Sequence, residues 1–294
     1  MSAICFSFDQ PFGSQLAVAL GAEPGRLDSH VFPDGETLVT LHGDCAGREV
    51  IIVCGGVGAN ARALPLQFAA STARALGAAR VGLVSPYLAY MRQDKQFHPG
   101  EAVSALAYAR FLSATFDWLV TVDPHLHRLP SLDAAFSIPS RCVSAMPAIA
   151  GWIVDNVKNP VLVGPDDESA QWARELGRLL SVPWLTLEKT RRGDHDVSVT
   201  MPDPTALAGR SPVIVDDIAS SGRTLIETLN ALRRLEAAPA NCIVVHALLT
   251  PEAEAALRAA GAARLVSTNT VPHATNEIDV MPLMVAPIHE LWHS

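Results

Sequence analysis

The residues best placed to do chemistry stand in one run, VIVDDIASSGRT, from Val213 to Thr224. An apolar, β-branched segment ends in two carboxylates, Asp216 and Asp217, passes through a small-residue turn and opens a helix at Thr224. In open parallel sheets ligands bind beyond the carboxyl ends of the strands. The turn's backbone amides and the hydroxyls of Ser220, Ser221 and Thr224 can surround a phosphate at a helix N-terminus. Gly222 permits the close backbone approach this needs. Asp216 and Asp217 would repel phosphate, so their natural partners are sugar hydroxyls, which they can accept in bidentate fashion. A ring of donors beside a carboxylate pair describes a site for ribose 5-phosphate. A lone Asp-Asp would be read as solvated, and a lone Ser as an ordinary helix cap; the combination points to a ligand.

Five further segments carry polar groups beside apolar runs. HVFPDGETLVTL (His30 to Leu41) reads as strand, Pro-Asp-Gly turn and strand, which by itself is only a hairpin. In SPYLAYMRQDKQFHPGEAVSA (Ser85 to Ala105), about sixteen residues without an apolar period separate a strand from a helix, longer than most such connections. It holds Arg92, Gln93, Asp94, Lys95 and His98, and is either a solvated loop or a lid that closes over phosphates with Arg92 as anion ligand. WLVTVDPHLHR (Trp118 to Arg128) ends a strand in Asp123, His125 and His127. Isolated histidines are usually core or surface residues, and His127 is read that way. GPDDESA (Gly164 to Ala170) follows one strand, and EKTRR (Glu188 to Arg192) ends another.

The elements that must position these groups alternate in type. VIIV (Val50 to Val53), a helix through Leu66 to Leu76, VGLV (Val81 to Val84), a helix from Glu101 to Ala114 and WLVTVD (Trp118 to Asp123) form the first series. VLVG (Val161 to Gly164), a helix from Ser169 to Leu180, WLTLEK (Trp184 to Lys189), VIVDD (Val213 to Asp217), a helix from Thr224 to Glu236, IVVHALL (Ile243 to Leu249) and a helix from Pro251 to Ala260 form the second. Continuous apolar strands separated by helices predict an α/β fold with parallel sheets covered on both faces. A strand–helix–strand unit of roughly thirty residues recurs around Val53/Val84 and Val215/Val245, suggesting two similar domains and an ancient duplication. The boundary falls near Ser144, between Pro139 and Pro147, giving domains 1–144 and 145–294. The final segment, Met284 to Ser294, is a candidate to pack back on the first domain.

Composition narrows the function. A length of 294 residues suits two domains of about 150 better than one large core. A net charge of −8 provides no basic field for nucleic acid, so an anionic substrate must meet local cations. The N-terminus MSAICFSFDQ has no signal-peptide pattern, and no apolar run approaches the roughly 18 residues of a membrane span. Five scattered cysteines without Cys-x-x-Cys spacing read as reduced core thiols of a cytoplasmic protein.

These motifs, in this order, resemble the ribose-phosphate diphosphokinases. The Val213 to Thr224 run resembles the phosphoribosyl pyrophosphate loop that this family shares with type I phosphoribosyltransferases. The hairpin resembles the family's Phe-x-Asp-Gly-Glu motif, and Tyr90-x-Arg92-Gln93-Asp94-Lys95 with Gly100-Glu101 is similar to its flexible ATP loop, especially in archaeal members. Trp118 to Arg128 matches Thr-Val-Asp-x-His, and the likeness continues through STNTVP from Ser267 to VAPIHEL near the end. Nucleobase phosphoribosyltransferases lack both the hairpin and the Arg-Gln-Asp lid.

The resemblance implies two type I phosphoribosyltransferase-like domains and transfer of the diphosphoryl group of MgATP to ribose 5-phosphate, giving phosphoribosyl pyrophosphate and AMP for nucleotide biosynthesis. It assigns Lys189 and Arg191 to catalysis and Phe32, Asp34, Glu36, Arg92, Gln93 and Asp94 to ATP. Asp216, Asp217, Ser220, Ser221, Gly222, Arg223 and Thr224 go to ribose 5-phosphate, and His125 and Asp166 to Mg²⁺. Mg²⁺ prefers oxygen ligands, so the histidine is nominated by resemblance and not by its chemistry. The hairpin serves the neighbouring subunit's site, implying a homodimer or higher homo-oligomer. Three departures stand out: Ser220 replaces the Asp common in bacterial relatives, Gly222-Arg223-Thr224 replaces their Gly-Gly-Thr, and Asp167-Glu168-Ser169-Ala170 replaces a Gly-richer diphosphate loop, where Glu168 adds a carboxylate. The alternatives are a nucleobase phosphoribosyltransferase and a catalytically silent regulatory paralogue.

Overall fold

The computed structural model describes residues 2–166, 169–192, 196–200 and 204–293, with the side chains at 188–192, 196–200 and 204 outside that description. The chain divides into two compact units, Met1–Val143 with Met281–Ser294, and Ser144–Val280.

In the first unit the elements are β1 (Ala3–Ser7), α1 (Phe12–Leu20), β2 (Glu23–Pro24), β3 (Arg26–Val31), β4 (Thr37–His42), β5 (Glu49–Val53), α2 (Ala59–Ala75), β6 (Arg80–Ser85), α3 (Ser104–Thr115), β7 (Trp118–Val122) and β8 (Ser140–Val143). Six of the strands form one sheet in the order β2-β1-β5-β6-β7-β8, parallel throughout. Both faces are covered, which is why β5 and β7 are buried at every residue. On one face Ile4, Phe6, Val50, Ile52, Val81 and Leu83 repeat every second position and meet Leu66, Ala69, Ala70 and Ala73 of α2. Each large aliphatic so buried contributes roughly 1.5–3 kcal/mol. Gly82 is small because a Cβ there would lie 1.9 Å from the Trp118 ring. The β3–β4 hairpin is a separate two-stranded sheet, tied to the core through Val39 and Leu41.

The second unit holds α4 (Met146–Asn156), β9 (Pro160–Gly164), α5 (Ala170–Leu180), β10 (Trp184–Thr186), β11 (Glu188–Arg192), β12 (Asp196–Thr200), β13 (Ser211–Ala219), α6 (Arg223–Arg234), β14 (Ala240–Ala247), α7 (Pro251–Ala259), β15 (Ala262–Thr268) and β16 (Asn276–Ile278). Its sheet runs β10-β9-β13-β14-β15-β16, again all parallel, with β11–β12 as a detached antiparallel hairpin. Numbered by their appearance in the sheet, the strands of both units follow one order, 2-1-3-4-5-6, and both insert a hairpin between the second and third. That repeat matches the two similar domains expected from the sequence. The last helix, α8 (Met281–Trp292), packs on α1, β7 and β8 of the first unit. There Arg80 donates to the Leu291 carbonyl at 3.0 Å and Arg141 pairs with Glu290 at 3.3 Å.

Several boundaries differ from the sequence reading, each for a local reason. Helix α2 starts at Ala59, not near Leu66, because Pro65 is accommodated inside it and buried. Helix α3 starts at Ser104 instead of Glu101, since the Glu101 carboxylate is spent accepting the amides of Phe97 (2.9 Å) and His98 (3.0 Å). The expected Trp184 to Lys189 strand breaks at buried Leu187, so that Lys189 belongs to the hairpin and not to the sheet. Strand β13 continues past Asp217 to Ala219, and α6 opens at Arg223 rather than Thr224.

Candidate active site

In the order 2-1-3-4-5-6 the chain reverses direction of winding between the first and third strands, which opens a crevice at their carboxyl ends. In the second unit that point lies between β9 and β13, hydrogen-bonded neighbours in the sheet. Asp166 follows β9, and Ser220 to Thr224 follow β13. The sequence candidates for sugar and diphosphate therefore converge on one switch point.

The loop after β13 is shaped by Gly222, whose φ of 69° is left-handed. A Cβ at Gly222 would lie 3.1 Å from Leu257 Cδ1, so α7 closes the space behind the loop. The Ile226 amide is the first to bond back, to the Gly222 carbonyl at 2.9 Å. The preceding amides stand ahead of the helix ladder, where an anion is favoured. Asp217 is buried, with Oδ1 accepting from the Ile218 amide at 2.7 Å, while Asp216 Oδ1 accepts from the Asp217 amide at 3.1 Å. With the register to β14 kept through Asp216↔Val244 and Ile218↔His246, the two carboxylates issue from opposite faces of the strand and not side by side. Asp166 Oδ1 accepts from the Ser169 hydroxyl at 2.7 Å and its amide at 3.0 Å, making a turn that starts α5. Asp167 and Glu168 lie outside the described residues. Lys189 and Arg191 lie on β11, opposite Val199 and Val197, with side chains outside the description.

One buried polar cluster beside the end of β13 is not announced by the sequence. His246, fully buried beside Ile218, shares a hydrogen bond between Nδ1 and Thr270 Oγ1 at 2.8 Å. Thr268 and Thr270 both donate to the Val245 carbonyl, at 2.7 and 2.9 Å. The nearest signal is the Ser267 to Thr270 string of small polar residues closing an apolar strand.

In the first unit the other candidates take these places. Phe32, Pro33, Asp34, Gly35 and Glu36 form the β3–β4 turn: the Phe32 amide donates to the Glu36 carbonyl at 2.8 Å, and Asp34 Oδ1 accepts the Glu36 amide at 3.1 Å. Gly35, with φ 91°, makes the turn possible, and Phe32 is left exposed against the edge of His30 at 4.7 Å. The segment after β6 is not a wholly solvated loop: Tyr87, Leu88, Ala89 and Met91 are buried, and Arg92 and Gln93 are the first exposed residues. Asp94 makes an ion pair with Arg128 at 2.9 Å. His125 lies beyond β7, its ring edge-on to His127 at 3.8 Å.

The first unit's own switch point, between β1 and β5, is filled differently. The Asp9 carboxylate accepts the Gly55 amide of the loop before α2 and pairs with Arg62, whose Nη1 also reaches the Gly55 carbonyl at 3.4 Å. A carboxylate of the chain thus occupies the position at which the second unit offers amides and hydroxyls. Asp9 and Arg62 are too far apart in sequence for any periodicity to link them.

Two parallel sheets of one topology, with a donor-rich loop and an acidic pair at the switch point of the second, define a protein of phosphoribosyl-transfer type. The family model for the N-terminal domain of ribose phosphate pyrophosphokinase matches residues 1–115, and that for the phosphoribosyl transferase domain matches residues 141–280. The ribose-phosphate pyrophosphokinase of Methanopyrus kandleri is 33% identical over 281 residues, 95% of each chain, and that of Halobacterium salinarum 33% identical over 94% of this chain and 96% of its own. The crystal structure of phosphoribosylpyrophosphate synthetase from Mycobacterium smegmatis shares the fold, with a TM-score of 0.88 at 22% identity over 100% of this chain and 99% of that one. The chain belongs to the ribose-phosphate pyrophosphokinase family.

Proposed function

We propose that the protein transfers the diphosphoryl group of ATP to the anomeric hydroxyl of ribose 5-phosphate, releasing AMP. The observation that carries this reading is the second unit's switch point, where Asp166 and the Ser220 to Thr224 loop flank one crevice. The family supports it, and the matching of relatives along the whole chain disfavours a nucleobase phosphoribosyltransferase.

On this reading Ser220, Ser221, Arg223 and Thr224, with the amides before Ile226, hold the 5-phosphate, and Gly222 sets the curve of the loop. Asp216 and Asp217 accept the ribose hydroxyls. Phe32, Asp34 and Glu36 receive adenine, and Arg92 and Gln93 hold the triphosphate. The anomeric oxygen attacks the β-phosphorus in line and gives up its proton to water, the bond to the α,β-bridging oxygen breaks, and AMP departs with that oxygen. Lys189 and Arg191 neutralise charge developing on the phosphate oxygens, which is most of what a protein contributes to phosphoryl transfer.

His125 and Asp166 would hold Mg²⁺. With His125 on one ion and Asp166 on a second, each ion has a single ligand from these two, which suits ions that keep waters and are carried largely by substrate phosphates. The ions would supply charge neutralisation at the diphosphate.

A homodimer or larger homo-oligomer fits the apolar surface of the first unit. Val31, Phe32 and Leu38 on the hairpin, with Leu64 and Phe68 on α2, are all at least 40% exposed, the kind of surface that association covers. Among the described residues no helix is long and apolar enough to cross a membrane. The five cysteines are unpaired, which suits the reducing cytoplasm.

The test is AMP release from ATP. It should require both ribose 5-phosphate and Mg²⁺, and Lys189→Ala should lower kcat by roughly two to three powers of ten. Folded wild-type protein that releases no AMP under these conditions would refute the reading.

A further inference from the structure

The sequence groups Asp94 with Arg92 and Gln93 as one polar run. The structure separates them. Arg92 and Gln93 are exposed, whereas the Asp94 side chain is only 1% exposed. Both its oxygens are taken by a single nitrogen, Arg128 Nη1, at 2.9 and 3.2 Å. Arg128 comes from the loop beyond β7 that also carries His125. Its guanidinium lies 5.7 Å from the Phe97 ring, and the Lys95 ammonium lies 4.9 Å from the same ring. The turn is pinned from both sides at Gln93, whose amide donates to the Tyr90 carbonyl at 3.0 Å and whose carbonyl accepts the Ala105 amide at 3.2 Å. The root is fixed by the Gly56 amide, which donates to the Tyr87 carbonyl at 2.7 Å.

We infer that Asp94 is not a ligand of the nucleotide but one half of a latch: with Arg128 it clamps the Arg92–Gln93 turn to the loop that bears His125. Asp94 and Arg128 are then positioning residues. The chemistry favours this division. A carboxylate aimed at a triphosphate repels it, whereas one neutralised by a cation and withdrawn from solvent can set the backbone that presents Arg92. The latch also makes two parts of the site one mechanical piece, because moving the Arg92 turn must move the loop of His125.

The inference rests on the ATP reading of this segment, and its test separates the two. Wild type, Asp94→Asn, Arg128→Met, Arg128→Lys and the double variant Asp94→Asn/Arg128→Met are compared for KM and kcat with each substrate. Arg128→Met leaves a buried carboxylate without its cation, so it should raise the KM for ATP tenfold or more, with kcat within about threefold and the KM for ribose 5-phosphate unchanged. Asp94→Asn should shift the same constant in the same direction, and the double variant should be no worse than Arg128→Met alone, because paired residues are not additive. Arg128→Lys should recover part of the loss. If Asp94→Asn raises the KM for ATP while Arg128→Met does not, or if the two effects multiply, Asp94 touches the nucleotide and the latch is wrong; no change in either variant also rejects it. A second readout needs no turnover. Without substrate, trypsin should cut after Arg92 and Lys95 faster in Arg128→Met than in wild type at equal melting temperature, and equal rates would overturn the latch even if AMP release proves the enzyme active. Wild type that releases no AMP would sink the ATP reading instead, leaving the proteolysis result to judge the latch.

Discussion

Single residues decide how tightly the proposed sugar-phosphate site is drawn. Gly222 combines a left-handed φ with a Cβ position 3.1 Å from Leu257. Gly222→Ala should cost about 1–3 kcal/mol in stability, seen as a lower melting temperature, and should raise the KM for ribose 5-phosphate more than that for ATP. An unchanged KM would show that the loop does not depend on this geometry. Glu49 governs a different property. It is fully buried at the amino end of β5 and accepts from Trp118 Nε1 at 2.5 Å. Burial raises its pKa above the ordinary 4.5, a shift that the Trp118 hydrogen bond and Arg80 oppose. As pH climbs through 4.5 the unfolded chain loses this proton first, so the folded state holds more protons and stability falls until the folded pKa is passed. Glu49→Gln should therefore gain on wild type as pH rises from 4.5, with the smallest difference at the acid end. A melting difference independent of pH would reject this. The buried thiols of Cys5 and Cys242, both pushed up to about 12 by burial, are poor nucleophiles at neutral pH.

At the scale of elements, what the sequence disclosed followed from periodicity. VIIV and the first three residues of VIVDD are apolar at every position because helices cover both faces of their sheets, so these inner strands and their order along the chain were legible. The loop after β13 was legible because its residue types are chemically odd for the end of a strand. Other features were hidden because their partners lie far away in sequence. Asp94 reads from the sequence as one more ATP-facing residue of a polar run, since nothing local announces Arg128. The break at Leu187 was hidden because Trp184 to Lys189 alternates as one strand would, yet the sheet ends at Thr186 and the rest pairs with β12. The burial of Tyr87, Leu88, Ala89 and Met91 was missed for the same reason: Leu88 and Met91 join the core, and Tyr87 and Ala89 lie against the β5–α2 loop, where a Cβ on Gly56 would lie 2.6 Å from the Ala89 amide.

For the whole molecule, the proposed assembly makes a prediction that no single chain can meet. If the hairpin serves a neighbour's site, two inactive variants should complement each other. Asp34→Ala/Glu36→Ala lacks the proposed adenine-binding side chains, and Lys189→Ala lacks the proposed cation. After mixing and subunit exchange, hybrid oligomers would contain a site built from the intact hairpin of one chain and the intact cation of the other. About a quarter of wild-type activity should return for a freely exchanged dimer, from random pairing of the two chains. Persistent inactivity after verified exchange would place hairpin and cation on the same chain. The repeated topology has one more consequence, through Asp9. An anion bonded into the polypeptide cannot diffuse away, so Asp9 competes with free phosphate for the Gly55 amide and Arg62 at every phosphate concentration. Each chain should therefore count one pentose phosphate and not two, and duplication will have enlarged the catalyst without doubling its appetite.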